Sequence, residues 1–162
     1  MSPYFDSYNT SILVIPAYVI PRSCPVTFLP HVLAINVATL GNFLTWDNRN
    51  PRSSDLKAQL KQRLPAVTYA KYERMEACHA NGMENLPLFI GAVILGNMAG
   101  LAQNELAKFG ASFLAVRIAY TIAYITTSTQ APTLIRSSLW IAGVSLCFRT
   151  IIRAAGAMAA EA

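Results

Sequence analysis

Charge is what this sequence has least of. Asp, Glu, Lys and Arg make up 13% of its 162 residues, against about 25% in an ordinary soluble chain. That scarcity, with 54% hydrophobic residues and a mean hydropathy of +0.37, argues against a large-cored soluble domain and for an integral membrane protein. Cysteine is also scarce. Cys24, Cys78 and Cys147 are odd in number, far apart and without a CxxC pair, so neither a disulfide framework nor a structural zinc site is expected. They read as free thiols packed as small apolar residues. There are two histidines, and although Glu76 and His79 have the ExxH spacing of di-iron helices, the further carboxylates and second motif such sites need are missing. No metal site is expected. The first twenty residues hold no Lys or Arg and are broken by Pro16, so a cleaved signal peptide is not expected. No nucleic-acid motif or internal repeat is present.

The net charge of +5 is unevenly spread. Seven of the thirteen basic residues (Arg49, Arg52, Lys57, Lys61, Arg63, Lys71 and Arg74) fall in one segment between apolar stretches, as in a cytoplasmic loop under the positive-inside rule. Four apolar segments surround it. From Asn9 to Trp46 the only charge is Arg22, among Pro16, Pro21, Pro25 and Pro30. Either residues 26–44 span alone, or Ile12–Ile20 joins them around a proline-broken kink. Further spans are expected at about 74–101, 111–129 and 137–152, and Ser54 with Asp55 is placed to cap a short amphipathic helix ending before Pro65. The expected fold is all-α: a four-helix transmembrane bundle over 26–153, with an N-terminal segment at 1–25 and a tail at 154–162. Both termini then lie across the membrane from the basic loop.

Polar residues inside these spans carry the functional information. At roughly 100° per residue, Arg74, Asn81 and Glu84 share a stripe of the second span with Ala77, Cys78 and Asn85. Arg117, Tyr120 and Tyr124 share one face of the third. Ionisable groups in a membrane face protein or a water-filled cavity and find partners, and the two stripes are natural partners for each other. A Glu84–Arg117 ion pair with Asn81 as a packing hydrogen bond is one reading. The other starts from the imbalance of one acid against two or three arginines, which an anionic ligand would complete. Tyr120 and Tyr124, taken singly, read as core or interface aromatics. His79 lies off the stripe and reads as structural; Arg136 sits where the third span meets its following loop.

The runs "RMEACHANGMENLPLF", preceded by "DNRNPR" and followed by "VRIAYTIAY" and "IRSSLWIAG", resemble the MAPEG family, the membrane-associated proteins of eicosanoid and glutathione metabolism. The likeness covers about residues 26–153 and is greatest to the fungal-type microbial branch. It implies a four-helix transmembrane subunit, a homotrimer in the endoplasmic reticulum (microsomal) membrane, and glutathione bound between subunits near the cytosolic face. By position, Asn81 and Glu84 match the family's glutathione-binding asparagine and glutamate. Arg117, Tyr120 and Tyr124 match its third-helix arginine and aromatics, and Arg136 resembles the arginine that stabilises the glutathione thiolate. Two departures stand out. The better-known eicosanoid enzymes carry an arginine where this chain has Ala77, so Arg74 is expected to compensate. "IPRSCPVTF" looks like an insertion into the first helix.

The chemistry suits that ligand. Glutathione carries two carboxylates, an ammonium and a thiol. Glu84 suits the ammonium, Arg74 and Arg117 suit carboxylates, and Asn81 offers both donor and acceptor. A thiol of pKa about 8.5 is mostly protonated at neutral pH, and each unit of depression requires about 1.4 kcal/mol of thiolate stabilisation. The function expected is a glutathione-dependent transferase or peroxidase acting on lipophilic substrates that arrive through the bilayer. A membrane isomerase or cyclase of secondary metabolism using the same cavity, and a non-catalytic scaffold, are the alternatives.

Overall fold

The computed structural model describes residues 9–19, 26–129 and 133–160. Cys24, Arg22, most of the "IPRSCPVTF" stretch and part of the turn before Arg136 lie outside the described residues. The described chain is helical: α1 (Thr10–Val19), α2 (Phe28–Ala38), α3 (Ser54–Arg63), α4 (Ala66–Met98), α5 (Gln103–Thr126) and α6 (Thr133–Ala160), with a 3₁₀ turn at Phe43–Thr45. At 1.5 Å per residue, α4 is about 50 Å long. Among the described helices α5 and α6 are long and apolar enough to cross a membrane.

The first apolar region forms two helices, and both pack. They run along α4 in the opposite direction to it. Asn9 Nδ2 donates to Asn97 Oδ1 (2.6 Å) near the far end of α4. The Tyr18 hydroxyl then donates to the Gly82 carbonyl (2.9 Å), and His31 meets Glu76 at 2.7 Å. Contacts of the pair thus extend from Asn97 to Glu76, about 31 Å of α4 axis. α1 also lies against α5 so closely that a Cβ at Gly110 would come within 2.8 Å of Val14 Cγ2.

Breaking a helix leaves backbone carbonyls without partners, and here side chains take them up. The Thr27 hydroxyl donates to Tyr18 O (3.1 Å), the Thr121 hydroxyl to Val26 O (3.5 Å), and His79 Nδ1 faces Thr27 O at 2.9 Å. At its other end α2 closes with a Schellman motif: Gly41 N–H donates to Asn36 O (2.9 Å) and Leu40 N–H to Val37 O (3.4 Å). The motif needs a left-handed residue after the cap, and the chain puts Leu40 there (φ +52°). α4 ends in the same way with Gly100 (φ +64°) in that place.

α3 is capped one residue earlier than its "RSSD" sequence suggests: Ser53, in extended conformation, accepts from Leu56 N–H at 3.1 Å. Ahead of it, Arg49 hydrogen-bonds both oxygens of Asp47 and holds that carboxyl down at about 2, so the pair stays ionised throughout the physiological range. Leu60 and Leu64 bury against Ala34, Ala38, Tyr72 and Met75, fixing α3 to α2 and α4. The main core lies deeper. Phe89 and Phe113 stack at 4.2 Å, with Tyr18 tilted against both and Cys147 beside them. Cys78 and Cys147 are free and buried.

Candidate functional site

Near the α4–α5–α6 junction, cations and aromatic rings alternate. Arg117 is 1% exposed and lies over the Tyr120 ring, 4.4 Å from its centroid. Tyr120 packs against Tyr124 at 5.4 Å, and Arg136, from the first turn of α6, lies over Tyr124 at 4.3 Å. Spacings of three and four residues place Arg117, Tyr120 and Tyr124 on one face of α5. Each cation–π contact contributes about 0.5–2 kcal/mol, more as water is excluded. Tyr120, Tyr124 and Arg136 line a cavity of about 400 Å³ with Asn81, Ser137, Trp140 and Ile141. That volume is within the range of small-molecule sites, about 300–1,000 Å³.

Asn81 links this ladder to α4. Its Oδ1 accepts from Nη1 and Nη2 of Arg117, both at 3.4 Å. Asn85, one turn on, donates to the Asn81 carbonyl at 2.8 Å and to Oδ1 at 3.2 Å, so Asn85 steadies the oxygen that faces the guanidinium. The ion pair contemplated between Glu84 and Arg117 does not form. Glu84 is exposed, and the ion pairs among the described residues are His31–Glu76, Arg49–Asp47 and Arg153–Glu105. Arg117 is therefore a buried cation without a carboxylate, and its Nε is unpartnered. Arg74, half-buried, also has an unpartnered Nε and does not line the cavity. The structure thus gathers Asn81, Arg117, Tyr120, Tyr124 and Arg136, and leaves Glu84 and Arg74 outside the cluster. Ser137 and Trp140 were missed by sequence reasoning. Their signal was position: next to Arg136 and one turn beyond it on α6.

A second polar cluster lies where α2, α3 and α4 meet. His79, 6% exposed, stacks on His31 at 4.8 Å between ring centroids. Its Nδ1 faces the Thr27 carbonyl, and its Nε2 faces Arg52 Nη2 at 3.1 Å. A neutral ring with its proton on Nδ1 satisfies both neighbours, donating to the carbonyl and accepting from the guanidinium. Arg52, Lys57, Tyr72, Glu73, Ala77 and Ala80 are among the residues lining a cavity of about 360 Å³ here.

Among the described residues the chain is all-helical, with two helices of membrane-crossing length, α5 and α6, and a cavity at one end of them lined by Arg136, two tyrosines and a tryptophan. Residues 26–156 match the sequence profile of the MAPEG family, and the chain belongs to that family. It is a family of integral membrane proteins that includes many glutathione-dependent transferases and peroxidases. No curated protein and no solved structure matches the chain.

Proposed function

We propose that this chain is a membrane-embedded glutathione-dependent transferase or peroxidase that acts on lipophilic electrophiles or lipid hydroperoxides. The observation that carries the reading is Arg117: buried, without a carboxylate, and joined through two tyrosines to a second guanidinium in a cavity of ligand size. A buried unpaired cation is costly, and an anionic peptide offsets it. Arg136, at the cavity wall, stabilises the glutathione thiolate. Asn81, with the Arg117 guanidinium behind it, takes backbone and carboxylate oxygens, Glu84 takes the ammonium, and the tyrosines pack against the peptide. The thiolate then attacks an electrophilic carbon to form a thioether, either displacing a leaving group that departs with its electron pair or adding across an activated double bond whose other carbon takes a proton from water. With a hydroperoxide it attacks the distal oxygen, releasing an alcohol after protonation, and a second glutathione converts the sulfenic acid to disulfide and water.

The proposal includes a membrane arrangement. α1 and α2 together form the first of four spans, α4 the second, α5 the third and α6 the fourth, with the basic α3 region and Arg136 toward the cytosol at the endoplasmic reticulum. Glu84 and Ala77 lie on the surface of the single chain. A carboxylate there is costly against lipid, which supports a homotrimer in which a neighbouring copy covers that face. Ile118, Ile122, Phe148 and Ile152 are exposed and suit contact with acyl chains and hydrophobic substrate.

Ultraviolet difference absorbance tests the thiolate directly. Adding glutathione to purified protein should raise thiolate absorbance at neutral pH, and Arg136→Ala should lower the signal about tenfold or more while binding persists. The acidic limb of kcat/KM should move the same way: losing the guanidinium raises the thiol pKa, so activity falls away at higher pH than in the parent. A flat absorbance response in the parent protein would remove the thiolate mechanism.

A further inference from the structure

A cavity of about 270 Å³ between the start of α5 and the second half of α6 has no part in the chemistry above. Its charged lining is Glu105 and Lys108 from α5 and Arg149 and Arg153 from α6. Glu105 is engaged by Arg153, with Oε2 and Nη2 2.9 Å apart. Lys108 and Arg149 are exposed, and neither belongs to an ion pair among the described residues. The cavity therefore presents two cations that no carboxylate of the described chain answers. It also stands apart from the arginine–tyrosine pocket. At 100° per residue, Arg149 and Arg153 lie roughly 150° around α6 from Ser137, Trp140 and Ile141, so the two cavities open on different flanks of that helix.

Depth makes those cations costly. Along α6, Arg149 is about 20 Å from Arg136, short of the roughly 30 Å that bilayer hydrocarbon spans. With Arg136 at one headgroup layer, Arg149 is still at acyl-chain depth in the far leaflet, where an unpaired charge is expensive. The surface beside it is apolar and shallow. A Cβ at Gly143 would lie 3.8 Å from Val116 Cγ1, which fixes the register of α5 against α6. From Lys108, the same face of α5 continues through Ser112, Ala115 and Ala119. From Arg153 and Arg149, the same face of α6 continues through Leu146 and Ala142. Ala115, Ala119 and Ala142 are exposed, so an uncharged trough of small side chains leads away from the cations toward the middle of the bilayer.

We infer that this cavity seats the headgroup of an anionic phospholipid, with Arg149 and Lys108 on its phosphate and an acyl chain in the α5–α6 trough. Basic pockets between transmembrane helices suit such headgroups, and a guanidinium matches two phosphate oxygens at once. Two unanswered cations favour a lipid of net negative charge over a zwitterionic one, whose own ammonium would sit beside them. The trough favours a lipid over free phosphate, which has nothing to place there. A lipid held in this way joins α5 to α6 at the end of the bundle away from Arg136. The inference needs α5 and α6 in a bilayer and is independent of glutathione.

Thermal melts of the full chain in an uncharged detergent test it, with added dioleoylphosphatidylglycerol, dioleoylphosphatidylcholine or inorganic phosphate. Phosphatidylglycerol should raise the midpoint above the rise given by equimolar phosphatidylcholine, because it binds the folded state; inorganic phosphate should leave it unchanged. Arg149→Gln should need about ten times more phosphatidylglycerol for the same rise, the factor for one charge-assisted hydrogen bond. Arg149→Lys should keep most of the preference, and Arg149→Gln with Lys108→Gln should abolish it. Both side chains are exposed, so these variants should fold. Lys61→Gln with Lys71→Gln removes the same charge outside the cavity and should retain the preference. Equal stabilisation of the parent by the two lipids overturns the site. So does a matching rise with phosphate, a preference that survives loss of both cavity cations, or one lost equally in the control.

Discussion

Arg117 has two possible reasons to exist, and heat separates them. If it were a structural strut, its removal would lower stability. Replacing even a buried ion pair with apolar residues of similar volume is often neutral or stabilising by about 1–4 kcal/mol, and a buried charge without a counter-charge has less attraction to lose. Arg117→Met is therefore expected to keep or raise the thermal midpoint of the ligand-free protein. It should also abolish the upward shift that glutathione produces in the parent by binding only the folded state. A midpoint several degrees lower, with the glutathione shift intact, would make Arg117 structural. Much of this was legible from residue types and helical spacing, since Arg117, Tyr120 and Tyr124 fall on one face by period alone. What spacing could not supply was the choice of partner. Asn81 and Glu84 lie on one stripe of α4, and only the azimuth at which α4 meets α5 puts Asn81 against the guanidinium and Glu84 at the surface. That angle is set by packing such as the Phe89–Phe113 stack, which has no local sequence signature.

Among the elements, the broken α1–α2 pair holds the most testable physics. Leu40 adopts a left-handed conformation that costs a non-glycine residue about 1–2 kcal/mol. At 76% exposure it contributes little burial in return. Leu40→Gly should raise the thermal midpoint, an increase of about 1 kcal/mol in unfolding free energy by detergent-compatible thermal melts; an unchanged or lower midpoint would show that Leu40 is covered in the assembled protein. Gly110→Leu makes the opposite test. Its side chain would occupy the space now filled by Val14, so α1 should be forced from α5 and become open to protease cleavage, where the parent resists. Prolines at 16, 21, 25 and 30 announced a break in this region, yet Pro16 lies inside α1 and Pro30 in the first turn of α2, and no proline says whether each half finds a groove. That depended on Gly110 and Gly82, glycines distant in sequence that admit Val14 and Thr27. The cap of α3 shows the same limit on a small scale. Three polar residues in "RSSD" could serve, and the extended backbone at Ser53 selects one.

At the scale of the whole molecule, polar chemistry concentrates toward the end of the bundle that carries Arg52 and Arg136. The opposite end is held by the Asn9, Ser11 and Asn97 network and the Arg153–Glu105 pair. The uneven distribution of basic residues along the sequence was enough to mark that polarity. The covering of Glu84 was not, because a surface carboxylate looks the same in sequence whether water, lipid or a second copy faces it. Native mass spectrometry from detergent should show three chains together, and Glu84→Leu should preserve that assembly while weakening glutathione. A lone chain under gentle conditions would leave the Glu84 face without its neighbour.

The family profile begins at residue 26, yet Tyr18, seven residues upstream of Pro25, is 0% exposed and wedged between Phe89 of α4 and Phe113 of α5. The frontier drawn by kinship and the frontier drawn by folding do not coincide in this protein. Anyone trimming the gene to the recognisable family segment would pull a keystone, opening a hole beside Phe89 and Phe113 and removing the hydroxyl that donates to the Gly82 carbonyl. Such a shortened chain should express poorly or aggregate, and adding α1 back as a separate peptide should restore part of its resistance to heat.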